Sequence, residues 1–141
     1  MAVKVLICGD RNWADKAFIR SKMRALEPGT IVVHGAAKGA DSLAGEVAEE
    51  MGFEVHPYPA AWSVFHRAAG PIRNTQMLDE EDPDMVWGFH DWIENSKGTR
   101  DMMRQAQRRG IAFTLFSHPP KRRSSGRNSR APQAAHSRRE A

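Results

Sequence analysis

An α/β fold is predicted: a three-layer sandwich around a five-stranded parallel sheet in the order 3-2-1-4-5. Three observations carry this expectation. Strand-like and helix-like stretches alternate through the first 117 residues. The strand-like runs are nearly continuously apolar, as strands covered on both faces must be. Loops rich in small residues follow directly on several of those runs, where right-handed crossovers collect the connections on one rim of the sheet. The chain also changes direction beside its first strand, which opens a crevice between strands one and four where open parallel sheets bind ligands.

The elements follow in order. Val3 to Cys8 is apolar apart from Lys4 and forms the first strand. From Asp15 to Leu26, Ile19, Met23 and Leu26 share one helical face. Pro28-Gly29 ends that helix, and Thr30 to His34 is the second strand. A second helix runs from about Asp41 to Met51, stopped by Gly52, and Phe53 to Tyr58 is the third strand. The segment 59–70, with Trp62, Phe65, His66 and Arg67, reads as an irregular lid or binding loop. Pro71 suits the first turn of a helix to about Leu78, followed by a charged turn, Asp79 to Pro83. Met85 to His90 is the fourth strand. Asn95 or Ser96 caps a helix to about Arg109, and Ile111 to Phe116 is the fifth strand.

Composition narrows the class. Of 141 residues, 40% are hydrophobic and 27% charged, a soluble globular mixture large enough for a core. No apolar run approaches the roughly 18 residues of a membrane span, and Met1 to Ile7 is too short for a signal peptide. One cysteine, Cys8, excludes an internal disulfide and fits a reducing, cytoplasmic setting. Residues 118–141 carry seven basic side chains (Lys121, Arg122, Arg123, Arg127, Arg130, Arg138, Arg139) against Glu140. That surplus of +6, in a total of +4, leaves residues 1–117 at −2. The chain thus divides into a mildly acidic folded domain, 1–117, and a basic disordered tail, 118–141. The tail is suited to non-specific contact with nucleic acid or to solubility alone.

The loops carry the candidate chemistry. Gly9-Asp10-Arg11 leaves the first strand, with Arg11 able to fork onto a phosphate. Gly35 to Asp41 places Lys38 between Gly35 and Gly39 ahead of a helix, so helix amides and an ammonium can meet an anion. Its spacing is neither that of a Walker A loop nor that of a dinucleotide fingerprint. Asp41, near the helix start, reads as a cap that can also contact a ribose hydroxyl. Gly70-Pro71 precedes Arg73 and Asn74 in a first helical turn, suited to a phosphate or a base edge. Ser96, Lys97, Gly98 and Thr99 offer amides and hydroxyls at another helix start. Trp62 and Trp92 are candidates for stacking on a base. His34, His56, His66 and His90 show no metal-ligand spacing and Cys8 has no partner, so neither metal nor added cofactor is called for. Cys8 reads as a buried small residue rather than a nucleophile.

Gly9-Asp10-Arg11, His34 to Asp41, Trp62, Ala69 to Met77 and Gly98-Thr99 together resemble the YspA-like branch of the SLOG superfamily, over about residues 3–117. The resemblance implies a Rossmann-like fold, a nucleotide or nucleotide-derived ligand such as AMP, NAD or ADP-ribose, and self-association as a dimer or higher homo-oligomer. It spans differing activities. Lonely-guy relatives are phosphoribohydrolases, other branches sense NAD-derived signals, and DNA-processing protein A binds single-stranded DNA. Arg73 and Gly98-Thr99 match the Lonely-guy pattern, but its catalytic Glu falls at Met102. Asp101 lies one position earlier, about 100° around the helix. Asp41 and Asp101, together with Arg73, are the catalytic candidates, with Asp10 a further carboxylate. Three readings stay open: a nucleotide N-glycosidase, a nucleotide sensor without turnover, and a nucleic-acid binder that relies on its tail.

Overall fold

The computed structural model describes residues 2–120, so the basic residues from 121 onward, and the nucleic-acid contact expected of them, lie outside the described residues. Strands β1 (Lys4–Gly9), β2 (Ile31–His34), β3 (Glu54–Pro57), β4 (Met85–Phe89) and β5 (Ala112–Phe116) form one parallel sheet. Their order is β3-β2-β1-β4-β5, as the sequence predicts, and the fold is α/β and Rossmann-like. The helices are α1 (Lys16–Met23), α2 (Ala40–Glu50), the single turn α3 (Trp62–Phe65), α4 (Ala69–Glu81) and α5 (Lys97–Arg108). None is long and apolar enough to cross a membrane.

Strand alternation builds a core on each side of the sheet. Val5 and Ile7 of β1, Val32 of β2, and Trp87 and Phe89 of β4 pack with Ile19, Met23, Ala44 and Val47 from α1 and α2. Leu6 and Cys8 of β1, Val33 of β2 and Val86 of β4 pack with Met77, Leu78, Met102 and Ala106 from α4 and α5. Fully burying a Val, Leu, Ile or Met contributes about 1.5–3 kcal/mol, so these two layers hold the sheet and thereby the rim at its carboxyl end.

Helix α4 differs from expectation. It spans Ala69–Glu81 rather than 71–78. Pro71 occupies its first turn, where a backbone N–H has no intrahelical partner to lose. Part of the stretch expected to be irregular is accordingly the start of this helix, and more of it is α3 followed by a 3-10 turn, His66–Ala68. At the far end, Asp79 to Glu81 remain helical, and Asp82 closes the helix in the left-handed region at φ 45°.

Glu81 explains the extra turn. Its buried carboxylate meets Lys4 Nζ at 2.9 Å and His56 Nδ1 at 2.9 Å, and it accepts a hydrogen bond from the Tyr58 hydroxyl at 2.6 Å. Lys4 Nζ also donates to the Glu81 backbone carbonyl at 3.1 Å. His56 Nε2 lies 2.7 Å from Glu54. The bond to Glu54, with that to Glu81, raises the His56 pKa above its ordinary value against the opposing effect of burial. A raised folded-state pKa stabilises fully below the unfolded value near 6.5 and is lost as pH rises through the folded one. The stability difference between wild type and His56→Gln, measured by urea unfolding, is therefore expected to be largest below pH 6.5 and to shrink on alkalinisation.

Candidate functional site

Because all strands are parallel, the loops leaving β1, β2 and β4 share one rim. The first is fixed through its backbone. Asp10 N–H donates to the Phe89 carbonyl at 2.9 Å, while the Asp10 carbonyl accepts from Trp13 N–H at 3.1 Å and Ala40 N–H at 3.0 Å. The backbone of one residue thus joins β4, its own turn and the start of α2. The Asp10 side chain closes that turn by accepting from Asn12 N–H at 2.9 Å, and the Arg11 side chain is exposed. Gly39 is required by the contact: its φ is 77°, and a Cβ there would collide with the Asp10 carbonyl and the Arg11 backbone.

The loop after β2 is held from inside. His34 Nδ1 accepts from Ala36 N–H at 2.9 Å, and Ala36 takes the left-handed conformation with φ 59°. Gly35 is buried, and a Cβ on it would strike the Arg73 guanidinium. Asp41 does not act as the expected helix cap. The N-cap is Gly39, and Asp41 sits inside the first turn with its carboxylate turned back to accept from Gly35 N–H at 2.9 Å and Ala37 N–H at 3.5 Å. Side chains in a helix lean toward its N-terminus, which carries this carboxylate back over the loop. Lys38 is exposed at the loop's edge.

From α4, Arg73 donates through Nη1 to the Gly35 carbonyl and through Nε to Asn74 Oδ1 at 3.2 Å. The buried Asn74 amide donates to Asp101 Oδ2 at 3.0 Å and to the Gly98 carbonyl at 3.4 Å. Asp101 Oδ2 also accepts from Gln105 Nε2 at 2.8 Å, and Gln105 Oε1 accepts from Thr75 at 2.9 Å. Gly35, Asp41, Arg73, Asn74, Gly98 and Asp101 therefore form one connected network across the exits of β2 and β4. Thr75 and Gln105 belong to it and were not among the residues read as functional. The Asp101–Gln105 spacing of one helical turn was the available signal.

The other sequence candidates sit around this network. Ser96 caps α5 by accepting from Thr99 N–H at 3.0 Å, and Thr99 is buried while Lys97 and Gly98 are exposed. Trp62, 56% exposed, lies over Gly70, its ring 3.5 Å from where a Cβ would stand. Trp92 is 67% exposed; its backbone N–H donates to His90 Nδ1 at 2.9 Å and its carbonyl accepts from Asn95 N–H at 2.9 Å. Gly9 presses against Phe89 and Ala40, a packing position at the strand exit. Met102 is fully buried in the core.

Electrostatics single out Asp41. Burial pushes its carboxyl up to about 6, opposed by the Arg73 charge and by the amides of Ala37 and Gly35. Burial and then Arg73 lower the His34 imidazole. Burial, with help from Asp41, raises the Cys8 thiol far above its ordinary value, so Cys8 stays protonated and is no nucleophile. Among the described residues, no three His, Cys, Asp or Glu side chains group as metal ligands.

A family model described as "YspA, cpYpsA-related SLOG family" matches residues 3–65, which include the first two rim loops and end before Arg73. The Gene 61 protein of Mycobacterium phage D29 is 35% identical over 126 residues, covering 83% of this chain and 98% of the phage protein. The chain belongs to the YspA, cpYpsA-related SLOG family. The resemblance read from its motifs is borne out. Among solved structures, the NADH-dependent reductase A1-R' complexed with NAD is similar at a TM-score of 0.44 and 15% identity. That match covers 82% of this chain, which spans 58% of the reductase's length.

In this SLOG domain, Gly39→Ala adds a Cβ at a positive φ against the Asp10 peptide. It is expected to cost about 2 kcal/mol or more in urea unfolding, while Gly52→Ala, where a Cβ meets nothing within 4 Å, costs less.

Proposed function

We propose that the rim binds the phosphate and ribose of a nucleotide or nucleotide-derived ligand of the AMP, NAD or ADP-ribose kind. The observation that carries this reading is the placement of Arg73. Its guanidinium is fixed by the Gly35 carbonyl and Asn74 Oδ1, which engage two of its five N–H donors. The remaining donors are pre-oriented for a phosphate, and a fixed fork loses little freedom on binding. Lys38 and Arg11 are exposed on neighbouring loops and add positive charge. Asp41 and Asp101 would serve the ribose. Family membership supports the same ligand class.

Hydrolysis of the N-glycosidic bond needs a carboxylate that stabilises cationic ribose or activates water. Asp41 is the stronger candidate, since a carboxyl at about 6 lies near the working range of a general acid or base. Asp101 is oriented by Asn74 and Gln105. A second reading, a sensor that binds without turnover, is favoured by one observation. Met102, where the Lonely-guy pattern has its Glu, is wholly enclosed in the core and offers nothing to a ligand.

Two measurements test these readings. Calorimetric titration with AMP, NAD and ADP-ribose should show binding that Arg73→Ala weakens about 10- to 100-fold; unchanged affinity would remove Arg73 from the site. Chromatography for released base, after incubation with the same compounds, separates enzyme from sensor. Turnover should depend on Asp41, with Asp41→Asn losing at least about 100-fold and the rate rising with pH through about 6 if the carboxylate acts as base.

A further inference from the structure

His118, where the basic tail was expected to begin, is docked on the rim. Its ring stacks on Trp13 with centroids 4.5 Å apart and planes 9° from parallel, and it lies 4.7 Å from the Phe18 ring. Nε2 is 2.9 Å from Asp15 Oδ2, and Nδ1 is 3.0 Å from Asp91 Oδ2. Trp13 belongs to the connection leaving β1 and Asp91 to that leaving β4, the two strands between which the chain reverses direction. Ligands of open parallel sheets bind at such a switch point. We propose that the indole face of Trp13, flanked by the Asp15 and Asp91 carboxylates, is a stacking subsite for a planar heteroaromatic cation, which the chain's own His118 occupies in this structure.

Trp13 and Asp15 are held by partners other than the occupant. Trp13 is buttressed by edge contacts with Phe18 at 5.4 Å and Phe89 at 5.7 Å, and its Nε1–H donates to the Asp15 carbonyl at 3.0 Å. Asp15 is fixed as the cap of α1, its Oδ1 accepting from Phe18 N–H at 3.0 Å. An indole face attracts a cation through its quadrupole, and two carboxylates beside it add to that attraction while repelling phosphate. The subsite would therefore take the charged ring of a ligand whose phosphate lies elsewhere on the rim. The Asp10 carbonyl, shared between Trp13 N–H and Ala40 N–H, ties this subsite to the start of α2 and its Gly35 loop. His118 is held through its ring and through its backbone N–H, which donates to Asp91 Oδ1 at 2.7 Å, while the neighbouring Ser117 hydroxyl donates to the His90 carbonyl at 2.8 Å; a ligand need displace only the ring.

Among the described residues, the charged groups facing this corner are Asp15, Asp91 and Lys22, the last lying over the Phe18 and Phe116 rings at 5.1 and 5.3 Å. Burial lowers the His118 pKa, but the bonds to Asp91 and Asp15 outweigh it and leave it above the ordinary value. Protonated His118 is the stronger competitor, so a permanently charged ring gains access as pH rises.

The inference rests on the reading of this rim as a ligand site, and a probe without phosphate keeps the two failures apart. The probe is 1-methylnicotinamide, a permanent pyridinium, with neutral nicotinamide as control, followed by NMR titration. His118→Ala is expected to bind the cation about tenfold more tightly than wild type and to show no such gain for nicotinamide. Adding Asp91→Asn should abolish the gain, and wild-type affinity for the cation should climb above pH 6.5. No gain in His118→Ala, an equal gain for the neutral ring, or a gain that survives Asp91→Asn would each overturn the proposal. Should His118→Ala fail to fold, the wild-type pH series decides, and a flat profile overturns it. Loss of AMP binding in Arg73→Ala together with no gain of cation binding in His118→Ala would leave the phosphate site standing and remove this one; the reverse pattern would do the opposite.

Discussion

A guanidinium reaching from one helical layer to a loop of the other holds the rim together. Arg73 rises from α4, on one face of the sheet, and binds the carbonyl of Gly35 at the exit of β2. The Gly35 amide in turn donates to Asp41 in the first turn of α2, on the opposite face. Burial alone would drive Asp41 toward its neutral form; the nearby positive charge and two amides resist that. Remove the guanidinium and a buried carboxylate loses its main compensating charge, a change that costs more than the pair itself contributes. The close approach requires a glycine at position 35, so the backbone and the charge pair depend on one another.

The two carboxylates of the network are held by different means, and the difference bears on chemistry. Asp101 is gripped by side-chain amides of Asn74 and Gln105, which themselves depend on the packing of α4 against α5. Asp41 is gripped by backbone amides of the loop that leaves β2. Any rearrangement of the Gly35 loop therefore acts on Asp41 directly and on Asp101 only through Arg73 and Asn74.

The sheet was legible in the sequence because its strands are apolar throughout and separated by helices of clear periodicity. Val5 to Cys8 and Val86 to Phe89 could belong to little else. Helix α4 was read too short because Gly70-Pro71 and the acidic run at 79–82 look like breaks; a first-turn proline and the buried Glu81 network cancel both signals. Asp41 was misread as a cap because an acid near a helix start usually is one, and only the tertiary position of Gly35 reveals its other partner. Gln105 offered only its spacing of one helical turn from Asp101, a weak signal that does not show which of the two faces inward. His118 was masked by the prolines and basic residues that follow it, although its two acid partners lie 27 and 103 residues away, beyond any sequence window.

The imidazoles at the ends of β2 and β4 share an arrangement whose effect extends beyond their own turns. Both His34 and His90 use Nδ1 to receive a main-chain N–H two residues on, so each ring must keep that nitrogen bare and carry its hydrogen on Nε2. A second proton on either ring would convert the acceptor into a donor aimed at another donor. The neutral tautomer is thus a shared hinge pin for two separate loops on either side of β1, and at His34 burial and the Arg73 charge both favour that neutral form.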